Sequence, residues 1–175
     1  MIASHIIAIY PDQEAGLNHA IQFLKSGIDN NESSILITDF LPRERIIDII
    51  SSRLDVNAGK LEQNGDLNIA TPAEWYLTEE EPSTANFNKI INSWSQLSRE
   101  SIRRGKIGIR AFGDMTTFFR LGLTDYLVEY EDHVSSTPTF PILGICAYVR
   151  SDIHSLPPKK YRRLQDSHNH LFLFP

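Results

Sequence analysis

The sequence is short of the features that announce most chemistries. One cysteine among 175 residues excludes an internal disulfide framework and a cysteine-rich zinc module. No apolar run approaches the roughly 18 residues that a membrane-spanning helix needs. The opening stretch from Met1 to Gln13 has no basic start and only a short apolar run, so it reads as a first strand and not as a secretory leader. Positive charge is scarce: 17 basic side chains against 22 acidic ones give a net charge of -5, a poor match for a phosphate backbone. The glycine-rich signatures GxxxxGKS/T, GxGxxG and GxSxG are absent. Where a phosphate loop would follow the first strand, the chain reads Pro11-Asp12-Gln13-Glu14-Ala15-Gly16, with acids and no lysine. That turn repels a triphosphate. A reduced, cytoplasmic setting is expected, with no nucleic-acid or membrane partner.

What is present is an ordinary globular composition, 41% hydrophobic and 22% charged, enough to bury a core without staples. The alternation of short β-branched runs with helical periods is the main signal. His5 to Tyr10, Ser34 to Thr38, Leu67 to Ala70, Ile107 to Phe112 and Pro141 to Tyr148 read as buried strands, and Leu171 to Phe174 as a final edge strand. Between them, Leu17, Ala20, Ile21, Leu24 and Ile28 fall on one helix face, ended by Asn30-Asn31. Pro42 opens a second helix with Ile46, Ile47, Ile50 and Leu54 on its face. Phe87 to Leu97 carries a long helix stopped at Gly105, and Leu123 to Val134 another. Thr78 to Pro82 reads as a mobile acidic loop and a candidate lid.

Five strand–helix alternations predict an α/β fold: a mostly parallel central sheet of five or more strands, helices on both faces, in one domain over 1–175. Ligands of such sheets sit outside the carboxyl ends of the strands. That directs attention to Tyr10-Pro11-Asp12, Thr38-Asp39, Thr71, Phe112-Gly113-Asp114 and Tyr148. Cys146, inside an apolar strand, reads first as a small core residue and second as a reactive or sensing thiol, which needs an electropositive neighbour. The six histidines are scattered. Only His168 and His170 are close, on one face of a strand by spacing. Two ligands without a third predict no metal site, and no cofactor is expected. The basic run Lys159 to Arg163 reads as a solvated helix face. Phe118, Phe119, Tyr126 and Tyr130 read as core or partner contacts, with one of the two phenylalanines free to face a ligand or another chain.

The ordered set His5-Ile-Ile-Ala-Ile-Tyr10, Phe23 to Ile28, Ser34 to Thr38, Arg110-Ala-Phe-Gly-Asp-Met115, Ile145-Cys-Ala-Tyr148 and His168 resembles the MEDS domain, the methanogen/methylotroph DcmR sensory domain. The resemblance runs from about His5 to Leu171. It implies a RecA- or KaiC-like three-layer sandwich that has lost its nucleotide-hydrolysing motifs and serves signalling proteins by responding to small organic molecules. The matching positions are His5, Tyr10, Gly113, Asp114, Cys146, Tyr148 and His168. The family often has Glu where Asp114 stands. No output domain follows in the chain, so the expected signal passes to a separate protein, or the chain is a fragment.

Three readings follow. The first is a non-catalytic sensory module that binds a small organic ligand through Tyr10, Asp12, Phe112, Gly113, Asp114, Cys146, Tyr148, His5 and His168 and transmits to a regulatory partner. The second is a ligand-free scaffold or homodimer associating through the aromatic helical stretch Phe118 to Tyr130. The third is an enzyme using Cys146 and a histidine, which stands or falls on their separation in space.

Overall fold

Five of the six strands follow the β-branched runs closely because each is covered on both faces. The computed structural model describes residues 4–77, 87–135 and 142–175. The strands are β1 (Ser4–Tyr10), β2 (Ser33–Ile37), β3 (Leu67–Ala70), β4 (Ile109–Asp114), β5 (Ile142–Val149) and β6 (His170–Leu173). They form one sheet in the order β3-β2-β4-β5-β1-β6, and every pairing among them is parallel. This all-parallel sheet is consistent with the RecA-like architecture that the resemblance implies.

The helices are α1 (Gln13–Asp29), α2 (Arg43–Leu54), α3 (Ala58–Asn64), α4 (Pro72–Trp75), α5 (Phe87–Arg103), α6 (Thr116–Arg120), α7 (Thr124–Ser135), α8 (Arg150–His154) and α9 (Pro158–Asp166). Side-chain alternation along the strands splits the core in two. Ile6, Ala8, Tyr10, Leu36, Phe112, Ile145 and Ala147 meet α1, α2 and α3 on one face. Ile7, Ile9, Ile35, Ala111, Cys146 and Tyr148 meet α5, α6, α7, α8 and α9 on the other.

Local chemistry sets the ends of these elements. The Asp12 carboxylate caps α1 by accepting from the Ala15 N–H at 2.8 Å. Thr71 and Glu74 make a reciprocal capping box on α4. Gly105, at φ 78°, closes α5: its N–H donates to the Ile102 carbonyl, and the Lys106 N–H to that of Ser101.

Some boundaries differ from the sequence reading. Pro42 is the N-cap of α2 rather than its first residue. Ile107 is exposed and donates its N–H to Asn31 in the turn, so β4 starts at Ile109 and runs on to Asp114. α3 was not anticipated; Asn57 caps it and Gly65, at φ 73°, ends it. The acidic stretch Thr78 to Pro82, expected as a lid, lies outside the described residues.

The connections place the site. After β1 and β2 the chain moves toward the β3 edge across the α1–α3 face. After β4 and β5 it moves toward the β6 edge across the other. The loops leaving β1 and β2 therefore part from those leaving β4 and β5, and a crevice opens between them at the carboxyl ends.

Candidate functional site

That crevice is open and shallow, with about 310 Å³ of space including the solvent at its mouth. Tyr10, Leu17, Leu36, Phe112, Ala147 and Val149 supply apolar walls. Asp12, Gln13, Thr38 and Asp114 supply polar groups, and Tyr148 also lines it. Asp114 is buried at the end of β4. Its Oδ2 accepts from Gln13 Nε2 at 2.8 Å and from Thr38 Oγ1 at 3.0 Å, and its Oδ1 accepts from the Thr116 N–H at 3.0 Å. Three of a carboxylate's roughly four acceptor positions are thus filled. Asp114 holds the loops after β1, β2 and β4 together and keeps one position for another donor. Beyond it, burial and the charge of Asp114 hold the Asp152 carboxyl above its ordinary range.

The wall at Tyr10 is tightly built. Its hydroxyl shares a hydrogen bond with His19 Nδ1 at 2.5 Å, and its ring stacks on Phe174 with centroids 4.6 Å apart. Burial lowers the affinity of His19 for a proton and raises that of Tyr10, which favours the neutral form of both.

The sequence candidates do not form one site. Tyr10, Asp12, Phe112, Asp114 and Tyr148 line the crevice. Gly113 points to the opposite face, where an added Cβ would collide with the Tyr76 hydroxyl and Met115 Cε. His5, Cys146 and His168 meet elsewhere, on the α7 face. The parallel register pairs Ile7 with Cys146, which brings His5 and Cys146 side by side although 141 residues separate them. His5 Nε2 lies 3.2 Å from Cys146 Sγ, and the His5 and His168 rings stack at 4.0 Å.

The centre of this second group is Glu131 of α7, fully buried, which the sequence reading missed. Its Oε2 lies 3.1 Å from His5 Nε2 and 3.7 Å from His168 Nε2, and the Cys146 thiol donates toward it at 3.6 Å. Its Oε1 accepts from the Tyr148 hydroxyl at 2.8 Å. A signal existed: Leu127, Tyr130, Glu131 and Val134 share the apolar stripe of α7, and a carboxylate there must be paired.

The electrostatics of the group follow from burial and that one charge. Burial pushes Glu131 up, but His168, His5 and the hydrogen bonds from His5 and Tyr148 outweigh it and hold it at about 2. Burial pulls His5 down, yet Glu131 and the Ser167 carbonyl leave it above 6.5. His168 stays below 6.5, chiefly from burial. Burial and the Glu131 charge push the Cys146 thiol well up. Glu131 is therefore held in its charged form, it raises the proton affinity of His5 beside it, and it keeps Cys146 in the thiol form. The Cys–His contact that the enzyme reading requires is present, with the sulfur buried and its thiol form favoured.

Other expectations change. His168 and His170 do not share a strand face. β6 begins at His170, which is exposed, while the chain turns before it and sends the His168 ring inward. Phe118, Tyr126 and Tyr130 are buried, and Phe119 packs edge-on to Tyr148 at 6.2 Å, so these aromatic side chains belong to the core. The exposed large apolar side chains include Leu121 of that stretch and Leu171, Phe172 and Leu173 of β6. In the basic run, Lys160 pairs with Asp125 and Arg163 with Asp132, tying α9 to α7.

A comparison with curated proteins gives no match. A scan against known protein families matches residues 4–168 to MEDS, the MEthanogen/methylotroph, DcmR Sensory domain. The match takes in the crevice and the Glu131 group as well as all of the sheet but β6. The chain belongs to the MEDS family of sensory domains.

Proposed function

We propose that residues 1–175 act as one non-catalytic sensory domain that takes a small organic molecule into the crevice and passes the change to a regulatory partner protein in the cytoplasm. The observation that carries this reading is the crevice itself, where an apolar wall meets a few placed polar groups at the junction of oppositely directed connections. Its size suits a compound of a few heavy atoms. Asp12, Asp114 and Asp152 disfavour phosphates and carboxylates and favour neutral or cationic molecules that donate a hydrogen bond. Asp114 and Tyr10 link the ligand to the loops after β1, β2 and β4, so occupancy biases their positions. Membership of a sensory family supports the signalling part.

The test is thermal unfolding against a panel of small alcohols, amines and halogenated hydrocarbons. At a ligand concentration 100 times Kd, the native state gains about 2.7 kcal/mol. A Phe112→Trp variant, which fills the crevice, loses the response. A panel without any stabiliser contradicts the reading.

A second reading, partner binding or self-association, is favoured by β6. It ends the sheet, and Phe172 and Leu173 are 50% and 68% exposed. Apolar edges of this kind invite pairing. Light scattering of wild type against Phe172→Lys/Leu173→Lys checks it: an oligomer lost in the variant supports association through this edge, and a wild-type monomer at all concentrations removes self-association.

A further inference from the structure

We propose that His5, Glu131, Cys146 and His168 form a binding site for one transition-metal ion of the zinc class, buried between β1, β5, α7 and the turn before β6. Tyr148 borders both this site and the crevice, but none of the four ligands lines the crevice, and a metal titration and an organic-ligand titration test the two separately.

The donor geometry is the first argument. One ligand atom from each residue lies within 4.8 Å of all the others. Ligand bonds of about 2.0–2.3 Å place the corners of a tetrahedron about 3.3–3.8 Å apart. The separations from Glu131 Oε2 are 3.1 Å to His5 Nε2, 3.6 Å to Cys146 Sγ and 3.7 Å to His168 Nε2, and His5 Nε2 to Cys146 Sγ is 3.2 Å. The cluster is at the scale of a coordination sphere. The rings, now 22° from parallel, open further for both lone pairs to converge on one ion.

Ring orientation is the second argument. His5 Nδ1 donates to the Ser167 carbonyl at 3.1 Å, and His168 Nδ1 donates to the Leu164 carbonyl at 2.6 Å. Each bond fixes the proton on Nδ1 and turns Nε2 toward Glu131. Metal-binding histidines are oriented by such carbonyls, and ligating carboxylates are held by further donors, as the Tyr148 hydroxyl holds Glu131. His168 Nε2 is the unexplained atom. Its side chain is fully buried, it has no hydrogen-bond partner, and its lone pair faces the carboxylate. A buried unpartnered nitrogen aimed at an anion is unfavourable. A cation between the two reverses the sign of that contact.

The donor set names the ion. Two imidazoles, one thiolate and one carboxylate suit a borderline divalent ion and exclude calcium and magnesium, which prefer oxygen. On binding, the Cys146 S–H bond breaks, an Sγ–metal bond forms and the proton leaves to solvent. His5 gives up its Nε2 proton in the same way. The dication with one thiolate and one carboxylate is then neutral overall, as a buried site requires. Four protein ligands close the coordination sphere, so the ion ties four separate elements together. His5, whose side chain is 17% exposed, marks the way in.

The experiment uses chelator-stripped, reduced protein titrated with Co²⁺ alone and then Zn²⁺ alone. The expected result is one Co²⁺ per chain with a thiolate-to-cobalt charge-transfer band, bleached by added Zn²⁺. Cys146→Ser loses the band, and His168→Gln binds at least about 10-fold more weakly, the lower bound for disturbing such a sphere. Absence of the band in wild type, or unchanged affinity in His168→Gln, overturns the proposal. Where a variant does not fold, X-ray absorption of Zn²⁺-loaded wild type decides: one sulfur with nitrogen or oxygen neighbours supports the site, and a shell without sulfur overturns it.

Discussion

Replacing Glu131 by Gln in the ion-free protein tests the reading of the buried cluster directly. The substitution keeps the volume, so no cavity complicates the result. It removes the one negative charge that His5, His168, Cys146 and Tyr148 all face. The carboxylate is fully buried and the His5 ring largely so; neither recovers solvation in the native state. Without that charge the His5 imidazole gives up its proton, so the cost is that of leaving buried polar groups poorly partnered, about 1–3 kcal/mol. For a chain of this length each kcal/mol moves the melting temperature by about 2–4 °C. The expected fall is therefore about 2–12 °C, followed by circular dichroism at neutral pH in the presence of a chelator. A double-mutant cycle with His5→Gln isolates the pair, and the coupling should exceed the roughly 0.5 kcal/mol within which independent sites add. A melting temperature close to wild type, or additive losses, would refute the argument that Glu131 organises this group.

Two further outcomes follow from named contacts. Burial depresses the pKa of His19, so the stability it contributes is present above about pH 6.5 and is lost as pH falls through the native value. His19→Asn, which keeps an acceptor for the Tyr10 hydroxyl but does not titrate, should show a shallower decline in melting temperature than wild type between about pH 8 and pH 5; equal slopes would contradict this. Gly113→Ala should lose about 1–3 kcal/mol in chemical denaturation, since its Cβ meets the Tyr76 hydroxyl and Met115, and an unchanged midpoint would show that this side of the sheet is looser than described.

The parts of the fold legible in the sequence were those written in local pattern. The Ile-rich run of β1 and the stripe Leu17, Ala20, Ile21 and Leu24 of α1 carry their own periodicity, and the structure buries those residues. The short helices α4, α6 and α8 span only four or five residues, too few for a period to show. The crevice residues Tyr10, Phe112 and Asp114 were legible because parallel sheets put sites at strand ends. Spacing could not reveal the second group. His5 and Cys146 become neighbours only through the β1–β5 register, and His168 turns inward only because the chain bends before β6. Glu131 was visible as a carboxylate in an apolar helical stripe, but its partners lie on other elements, so its pairing was not.

The central claim, that the crevice receives a small organic ligand, is tested most directly by amide NMR of the full chain titrated with the same panel of compounds. The account predicts saturable shifts for at least one neutral or cationic compound, concentrated at Gln13, Thr38, Asp114 and Tyr148 around the crevice. A panel that leaves those amides unmoved, or a ligand whose shifts cluster away from the strand ends, would contradict it.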